Sequence, residues 1–462
     1  MANVISRWFA PEPHIPRLPE AEVNRQYPRL RWRVLEATFV GYALYYLVRN
    51  NIPVVGKDLQ THLGYTKEQI GLLTSVTGLS YGVGKFFMGA LSDRSNPRVF
   101  IAVGLLLTSI LNFMFAGTLN FELQLFLWGL NGVAQGMGWP PCGRSMGHWF
   151  SEKERGLTFS VWNTSHNFGG AIAGWLSAAA VHRATDLFGA DPATAWKAAF
   201  YVPAVITFFM SFYLLFRLVD TPQSQGLPPI EEYKQDFTKQ EKQTGDTHER
   251  ELSFKELFLD YVLFNKFVWI LAIANFFAYV TRYAMVDWGP TYLREMKGQN
   301  IEQSSKIIVA LELGGIIPTI ALGYLSDKLG GRRGMVAVIC MIPIIVAFGL
   351  MPMVPNDKSK VWIDLMLVGI VGMMIYPIIN FITIMALDMT SKKAIGVAAG
   401  FIGLFGYVGK SAFAWAAGLA LDILEPKYGK VVAWHGVLYT AMASGILALL
   451  FLSLTWKQKP KA

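Results

Sequence analysis

The chain has 462 residues, of which 53% are hydrophobic and 16% charged, and its formal net charge is +9. A soluble domain carries about a quarter of charged residues, so this composition excludes an ordinary soluble protein. Apolar runs of roughly 20 residues, long enough to cross ~30 Å of hydrocarbon, recur along the whole chain. We therefore predict an all-α polytopic membrane protein.

The apolar runs predict about twelve membrane-spanning helices in two groups of six. The predicted spans lie near 33–54, 70–91, 98–119, 122–145, 157–180, 195–217, 263–289, 304–325, 335–354, 361–386, 394–421 and 434–456. The predicted domains are a cytoplasmic N-terminal segment (1–32), an N-terminal six-helix bundle (33–217), a cytoplasmic linker (218–262), a C-terminal six-helix bundle (263–456) and a cytoplasmic tail (457–462).

Basic residues collect in the N-terminal segment, in alternate loops and in the tail. This alternation follows the positive-inside rule, which predicts that both termini face the cytoplasm. The same rule accounts for the net positive charge. We predict no nucleic-acid binding, since no basic patch with interleaved aromatic residues stands apart from these loops.

Arg49 lies in the first predicted span, within "GYALYYLVRNNIP" (41–53), close to Tyr42 and Tyr46. An arginine inside a span costs at least roughly 3 kcal/mol, so it should face a protein interior or a water-filled cavity and pair with an anion. The alternative is that Arg49 snorkels from a helix end.

Arg282 favours the first interpretation, because it occupies the first span of the second half, in "FFAYVTRYAMVDWGP" (276–290), again beside tyrosines. Two guanidiniums that converge on one cavity repel each other unless an anion lies between them. Phosphate suits this position, because each planar guanidinium group can donate two charge-assisted hydrogen bonds to phosphate oxygens. We therefore predict anion binding by Arg49 and Arg282, the alternative being two unrelated structural arginines.

A loop motif occurs once in each half, as "GALSDRSNPR" (89–98) and "GYLSDKLGGRR" (323–333). A single copy could be an ordinary loop with a helix cap. Two copies at matching positions favour a second interpretation, in which each charge cluster holds the cytoplasmic ends of neighbouring helices together in one state and releases them in another. The motif resembles the loop signature of the major facilitator superfamily. That resemblance implies two six-helix bundles with a central substrate cavity and alternating access. The candidate gating residues are Asp93, Arg94, Asp327 and Arg332.

Further polar residues are embedded in the predicted spans. Lys85 and Glu312 occupy the second span of each half, which would allow an ion pair between the bundles. The sequence contains no Gly-Lys-Ser/Thr phosphate loop and no zinc-ligand spacing, so we predict neither an enzyme nor a bound cofactor or metal. The other candidates are Asn163, His166, Asp287 and Lys410.

Several strings together resemble the organophosphate:phosphate antiporter family, and within it the bacterial glycerol-3-phosphate transporters. The resemblance runs from about residue 13 to the last span. It implies exchange of a small organophosphate for inorganic phosphate in a bacterial inner membrane, and we expect a monomer. The strings are "GMGWPPCGRSMGHWFSEKERG" (136–156), "VWNTSHNFGG" (161–170), "DTPQSQGLPPIEEYK" (220–234), "RYAMVDWGPTYL" (282–293) and "SKKAIGVAAGFIGLFGY" (391–407).

The resemblance also implies roles for individual residues. Arg49 and Arg282 match the phosphate-binding pair of the family, and His166 matches its substrate-site histidine. The family's cavity tyrosines are matched by Tyr42, Tyr46, Tyr81, Tyr376 and Tyr407, and its polar or ion-pairing positions by Lys85, Asn163, Asp287 and Glu312.

Two positions depart from the family pattern. Asn50 stands where the family has a lysine that pairs with the aspartate matching Asp287, and Lys410 stands where a small residue is usual. Lys410 either replaces the lost partner of Asp287 or adds a positive group for the organic end of a more anionic substrate.

Glycerol-3-phosphate is the first expected cargo. A hexose phosphate or a phosphoglycerate is the alternative cargo of an antiporter. Two further alternatives are a transporter-like membrane sensor of phosphorylated sugars, and a proton-coupled symporter in which His166, Asp287 and Glu312 titrate.

Overall fold

The computed structural model describes residues 8–236, 259–389 and 395–458, and these residues are folded almost entirely into α-helices. The N-terminal half contains Glu20–Leu47 (α1), Asn51–Leu63 (α2), Lys67–Asp93 (α3), Pro97–Gly117 (α4), Phe121–Gln135 (α5), Trp139–Trp149 (α6), Glu152–Asn163 (α7), Ser165–Asp186 (α8), Pro192–Ala195 (α9) and Ala198–Arg217 (α10).

The linker contributes a 3-10 turn, Gln223–Gln225, the short helix Ile230–Lys234 (α11) and a π-helical turn, Leu259–Leu263. The C-terminal half contains Lys266–Met296 (α12), Ile301–Gly314 (α13), Ile316–Lys328 (α14), Arg333–Leu350 (α15), Val361–Met389 (α16), Ile395–Tyr428 (α17) and Lys430–Ser453 (α18).

Within the described residues, eight segments are long and apolar enough to cross a membrane. These segments are 97–117, 192–217, 266–296, 301–328, 333–353, 358–386, 397–428 and 430–453. They coincide with eight of the predicted spans. The other four predicted spans fall on helices that are interrupted near the middle or carry more polar residues, namely α1–α2, α3, α5–α6 and α7–α8.

Local sequence explains where several helices begin. Thr66 and Gln69 form a capping box before α3: Thr66 Oγ1 accepts from the Gln69 backbone N–H at 3.1 Å, and Gln69 Oε1 accepts from the Thr66 N–H at 3.0 Å. Asn120 and Asn300 cap α5 and α13 in the same way, through side-chain oxygens that accept from a backbone N–H three residues on. These caps satisfy amide groups that the first helical turn leaves without partners.

Glycines bring the two halves into close contact along two seams. In the first seam α3 crosses α17, and a Cβ added at Gly71 would lie 2.4 Å from the Ala414 carbonyl oxygen. In the second seam α8 crosses α13, and a Cβ added at Gly170 would lie 2.9 Å from the Glu312 carboxyl carbon. Small residues of this kind allow membrane helices to pack backbone against backbone.

The described part of the linker packs against the N-terminal half. Tyr233 of α11 stacks on Tyr27 of α1 with ring centroids 4.0 Å apart. Asp220 accepts from Arg144 Nη1 at 3.1 Å, and its carbonyl oxygen accepts from Trp149 Nε1 at 2.7 Å. The linker therefore leaves the first bundle along a defined path, at the same end of the molecule as the N-terminal segment.

We expect the Gly71→Ala substitution to destabilise the seam between the halves. The added methyl group meets backbone atoms that cannot rotate away, and such overpacking costs about 1–3 kcal/mol. The melting temperature of the detergent-solubilised protein should fall. The control is Gly89→Ala on the same helix, where nothing lies within 4 Å of the added Cβ. An equal fall for both substitutions would contradict this account of the seam.

Candidate functional site

Arg49 lies in a break between α1 and α2. Such a break frees backbone groups that must find partners inside a membrane protein. The Val48 carbonyl oxygen accepts hydrogen bonds from three buried amides, Asn112 Nδ2 at 3.0 Å, Asn131 Nδ2 at 3.1 Å and Gln135 Nε2 at 3.3 Å. These amides stabilise the break and so fix the position from which the Arg49 side chain extends.

The Arg49 guanidinium is buried among aromatic rings. Its Nε donates to Gln135 Oε1 at 2.9 Å, and its Cζ lies 4.4 Å from the ring centroid of Tyr46 and 4.3 Å from that of Tyr81. Its Nη2 is buried without a hydrogen-bond partner among the described residues. The charge is therefore held by ring faces and one amide, while part of its donor capacity is left for another acceptor.

Arg282 has a comparable environment in the middle of the continuous helix α12. Its Cζ lies 4.4 Å from the ring centroid of Tyr376 and 4.9 Å from that of Tyr283. Its Nη2 is 3.5 Å from Glu312 Oε1, and its Nε has no hydrogen-bond partner in the described part of the chain. Both arginines are thus buried and incompletely satisfied, one in each half.

Glu312 joins the two halves beside Arg282. Asn167 of α8 donates from Nδ2 to Glu312 Oε2 at 3.1 Å and to the Glu312 carbonyl oxygen at 3.0 Å. Tyr376 donates its hydroxyl to the same carboxylate. The seam glycine Gly170 leaves the space that the carboxylate occupies.

Aromatic rings connect the surroundings of the two arginines. The His166 ring lies 6.1 Å from the Tyr46 ring, which covers Arg49, and 5.4 Å from the Tyr376 ring, which covers Arg282. The Nδ1 atom of His166 forms a hydrogen bond with the Asn163 carbonyl oxygen. This bond leaves Nε2 of the imidazole as the nitrogen available to a ligand.

A second row of rings crosses the seam between α3 and α17. Tyr81 and Tyr407 pack edge to face with centroids 4.7 Å apart, and Tyr407 contacts Tyr279 at 5.3 Å. The Tyr42 and Tyr81 hydroxyls are 3.5 Å apart. All five tyrosines proposed from sequence therefore lie in or beside the surroundings of the arginines.

Lys410 and Asp287 are neighbours inside the C-terminal half. Lys410 Nζ lies 3.9 Å from Asp287 Oδ1 and 4.4 Å from the ring centroid of Tyr283. Asp287 Oδ2 is buried and has no hydrogen-bond partner among the described residues. Of the two roles considered for Lys410, this geometry favours that of a counter-ion for Asp287.

Lys85 does not form the inter-bundle ion pair with Glu312 that the sequence allows. Its Nζ lies 4.4 Å from the ring centroid of Trp139, within the N-terminal half. The Glu312 carboxylate is engaged instead by Arg282 and Asn167. The contact between the halves at Glu312 is therefore an amide–carboxylate hydrogen bond and not an ion pair with Lys85.

The repeated loop motif lies near helix ends in both halves. Arg333 Nη2 is 3.2 Å from Asp327 Oδ1, whereas Arg332 is exposed. Arg94 is exposed just after α3, and the side chain of Asp93 lies outside the described part of the structure. The role of this motif as a gate remains a prediction.

An ionic network joins the two halves at the end of the molecule opposite the N-terminal segment and linker. Glu295, near the end of α12, accepts from Lys57 Nζ at 2.7 Å, Lys67 Nζ at 2.8 Å and Trp434 Nε1 at 3.0 Å. The side chain of Glu295 is only 1% exposed. We call this network, together with the Arg294–Asp58 pair, the Lys67–Glu425 pair and the cap of α3 by Asp422, the inter-half latch.

The latch has three further contacts between the halves. Arg294 pairs with Asp58, with Nη2 3.0 Å from Oδ1, and Lys67 also pairs with Glu425. Asp422 accepts from the backbone N–H groups of Lys67 at 3.2 Å and Glu68 at 2.7 Å, which caps α3 with a carboxylate from the other half. These interactions close the bundle at this end.

Sequence reasoning did not single out the amides that support the helix break. Asn112 lies in "VGLLLTSILNFMFAG" (103–117), while Asn131 and Gln135 lie in "FLWGLNGVAQG" (126–136). The available signal was an isolated amide within an apolar span, which is rarely tolerated without a specific partner. The three amides share one partner, the Val48 carbonyl oxygen, which only the folded arrangement of the helices brings to them.

Comparison with known proteins identifies the family. The sequence pattern of the Major Facilitator Superfamily matches residues 38–414. A crystal structure of a bacterial homologue of the human lysosomal transporter Spinster, in an inward-facing and unoccupied conformation, shares the fold with a TM-score of 0.71 at 16% identity, and the match covers 94% of this chain and 99% of that chain.

Curated relatives match along nearly the whole chain. The glycerol-3-phosphate transporter of Bacillus subtilis is 40% identical, with 98% of each chain covered. A probable hexose phosphate transport protein of Chlamydia trachomatis is 37% identical, with 98% of this chain and 97% of the relative covered. The membrane sensor protein UhpC of Escherichia coli is 32% identical, with 95% of each covered. The prediction that the chain is not an enzyme agrees with these relatives.

We expect a double-mutant cycle to establish Lys410 as the counter-ion of Asp287. Lys410→Met alone leaves a buried carboxylate without a cation, and breaking a buried pair costs about 3–5 kcal/mol. The Lys410→Met/Asp287→Asn double substitution removes both charges and should restore most of the melting temperature. Additive losses would contradict the pairing and favour contact of Lys410 with substrate.

Proposed function

The chain belongs to the Major Facilitator Superfamily, and we propose that it is a secondary transporter that exchanges a small organophosphate for inorganic phosphate. Glycerol-3-phosphate is the first candidate for the organophosphate, because the Bacillus subtilis relative is named as its transporter. The carrier would act as a monomer in a bacterial inner membrane. Its termini and linker would face the cytoplasm, since the basic residues concentrate at that end.

One observation carries this proposal. Each half contributes one buried guanidinium with an unsatisfied nitrogen, Arg49 Nη2 and Arg282 Nε, and a row of rings through His166 connects their surroundings. A phosphate between them would satisfy both donors and neutralise charge that is costly to bury. Any phosphorylated small molecule presents the same group, so the pair would bind both exchange partners.

Exchange follows from the same electrostatics. A bound phosphate attracts both arginines, so it offsets the repulsion between two bundles that each present a cation. An empty carrier keeps two guanidiniums near each other, with Glu312 offsetting only part of the charge of Arg282, and this disfavours the closed intermediate through which the binding site changes sides. Arg49 and Arg282 would bind the phosphoryl group, and the tyrosine hydroxyls would complete the shell of donors. His166 donates from Nδ1 to the Asn163 carbonyl oxygen, so its Nε2 would accept from a protonated phosphate oxygen when the ring is neutral, and would donate to a phosphate oxygen only as imidazolium.

Alternating access requires that the latch opens. With the latch formed, the end that we assign to the extracytoplasmic side would be closed, and the binding site would communicate with the cytoplasm. Separation of the halves at the latch would break the contacts of Glu295 with Lys57 and Lys67 together. Substrate binding would therefore have to stabilise the alternative arrangement enough to compensate for this network.

A sensor is the second candidate function, and the likeness to the membrane sensor protein UhpC favours it. A sensor would retain the phosphate-binding residues and report occupancy to a partner without net transport. The likeness to a probable hexose phosphate transport protein similarly keeps a hexose phosphate among the candidate cargoes. A phosphoglycerate fits the site less well, because Lys410 is engaged with Asp287.

We expect labelled phosphate to enter proteoliposomes that are preloaded with phosphate, with glycerol-3-phosphate as the strongest competitor. Arg49→Lys and Arg282→Lys should each reduce exchange by roughly 10- to 100-fold, as expected for loss of one charge-assisted hydrogen bond. Lysine keeps the positive charge but lacks the planar guanidinium group that donates paired hydrogen bonds. Arg25→Lys, an exposed arginine on α1, is the matched control.

The same assay separates the two functions. Exchange that falls by this factor in both site variants and survives in the control supports the antiporter. Phosphate binding without exchange in the wild-type protein would favour the sensor. Uptake driven by a pH gradient without internal phosphate would contradict both and indicate proton-coupled symport.

We expect weakening of the latch to open the extracytoplasmic end. Thr291→Cys provides the probe, because Thr291 is buried one helical turn before Glu295. Glu295→Gln should raise the rate at which a membrane-impermeant maleimide labels this cysteine from outside by about tenfold, if the latch contributes about 1.4 kcal/mol. The control is Asp357→Asn, in the exposed turn before α16. An unchanged rate in the Glu295 variant would show that the latch does not control access.

A further inference from the structure

A basic groove lies between α1 and α10, outside the candidate site and at the end of the molecule that carries the linker. It has a volume of about 330 Å³ and is lined by Gln26, Arg29, Leu30, Arg33 and Arg217. Arg29 and Arg33 are one turn apart on α1, and Arg217 is the last residue of α10. The groove therefore presents three guanidiniums within one concave surface.

Existing contacts occupy only part of this charge. Arg33 donates from Nε to the Arg217 carbonyl oxygen and from Nη2 to the Phe216 carbonyl oxygen, both at 2.5 Å, so it caps the C-terminal end of α10. Arg217 Nε is 2.7 Å from Glu36 Oε2. Arg29 has no hydrogen bond or ion pair in the described part of the chain. Among the described residues, Glu36 is thus the one carboxylate that pairs with any of these three arginines.

An exposed apolar surface leads directly to the groove. Exposed apolar side chains lie along one face of α10. The most exposed of them are Phe209 and Phe216, at 66% and 75%. Trp32 of α1, beside Arg33, is 71% exposed. Apolar side chains along a span with tryptophan and arginine at its end are typical of the boundary between acyl chains and headgroups. The other members of this face are Val202, Val205, Ile206 and Phe212.

We propose that this groove binds the phosphodiester headgroup of an anionic phospholipid of the cytoplasmic leaflet. The acyl chains would lie along the exposed face of α10, and the phosphate would lie between Arg29 and Arg217. Guanidiniums bind phosphate oxygens through paired hydrogen bonds, and basic pockets at the cytoplasmic ends of membrane helices suit anionic headgroups. The groove is large enough for a headgroup. The acyl chains need no cavity, because they would lie against the exposed face of α10.

Quenching of Trp32 fluorescence tests the proposal in the full-length protein. The protein is placed in phosphatidylcholine nanodiscs that contain increasing fractions of brominated phosphatidylglycerol or, in parallel, brominated phosphatidylcholine. Subtraction of the signal of a Trp32→Phe variant isolates the fluorescence of Trp32, which precedes the groove residue Arg33 on α1. We expect quenching of Trp32 to reach half its maximum at a lower fraction of phosphatidylglycerol than of phosphatidylcholine.

Substitutions distinguish a site from general charge attraction. Arg29→Gln should raise the half-maximal fraction of phosphatidylglycerol roughly fivefold, the effect of about one basic residue near an anionic surface. Arg29→Lys should restore most of the preference. Arg25→Gln is the matched control, because Arg25 lies one turn earlier on α1, outside the groove, and pairs with Glu22 at 2.9 Å.

Three results would overturn the proposal. Equal quenching by the two brominated lipids would show that the groove does not select charge. An equal loss in the Arg25 and Arg29 variants would show a diffuse electrostatic effect. Displacement of phosphatidylglycerol by millimolar inorganic phosphate would indicate a site for a free anion and not for a lipid.

Discussion

Two guanidinium groups are buried in the interior of a membrane protein, and most of the structure around them can be understood from that constraint. A charge in this position must be paired or covered, because the surroundings cannot solvate it. The protein covers Arg49 with the rings of Tyr46 and Tyr81, and Arg282 with those of Tyr283 and Tyr376. Neither arrangement uses every donor. The remaining donors are the basis on which we propose that the two arginines bind an anion.

The same constraint accounts for the polar framework behind the site. The break that positions Arg49 frees the Val48 carbonyl oxygen, and three buried amides from α4 and α5 bind it. On the other side, Glu312 balances part of the charge of Arg282 and receives Asn167 from the N-terminal half. Glycines in both seams allow these groups to approach. The candidate site is thus assembled by the contact between the two halves of the chain.

Much of the fold and many candidate residues could be predicted from sequence, because both depend on signals that are local. Apolar runs indicate spans, and Arg49 and Arg282 are conspicuous within them. The partner of each polar group depends on the packing of distant helices. The sequence therefore allows an ion pair between Lys85 and Glu312, whereas Arg282 and Asn167 engage Glu312 in the structure. The latch was missed for the same reason: its members lie near helix ends, where charged residues are common.

Titration of the purified protein with inorganic phosphate by calorimetry tests the central claim most directly. If one phosphate is shared by Arg49 and Arg282, the wild-type protein should bind one phosphate per chain, and Arg49→Gln or Arg282→Gln should each remove that binding. Two independent arginine sites would instead leave about one binding event in each single variant. That result would contradict a site formed jointly by the two halves.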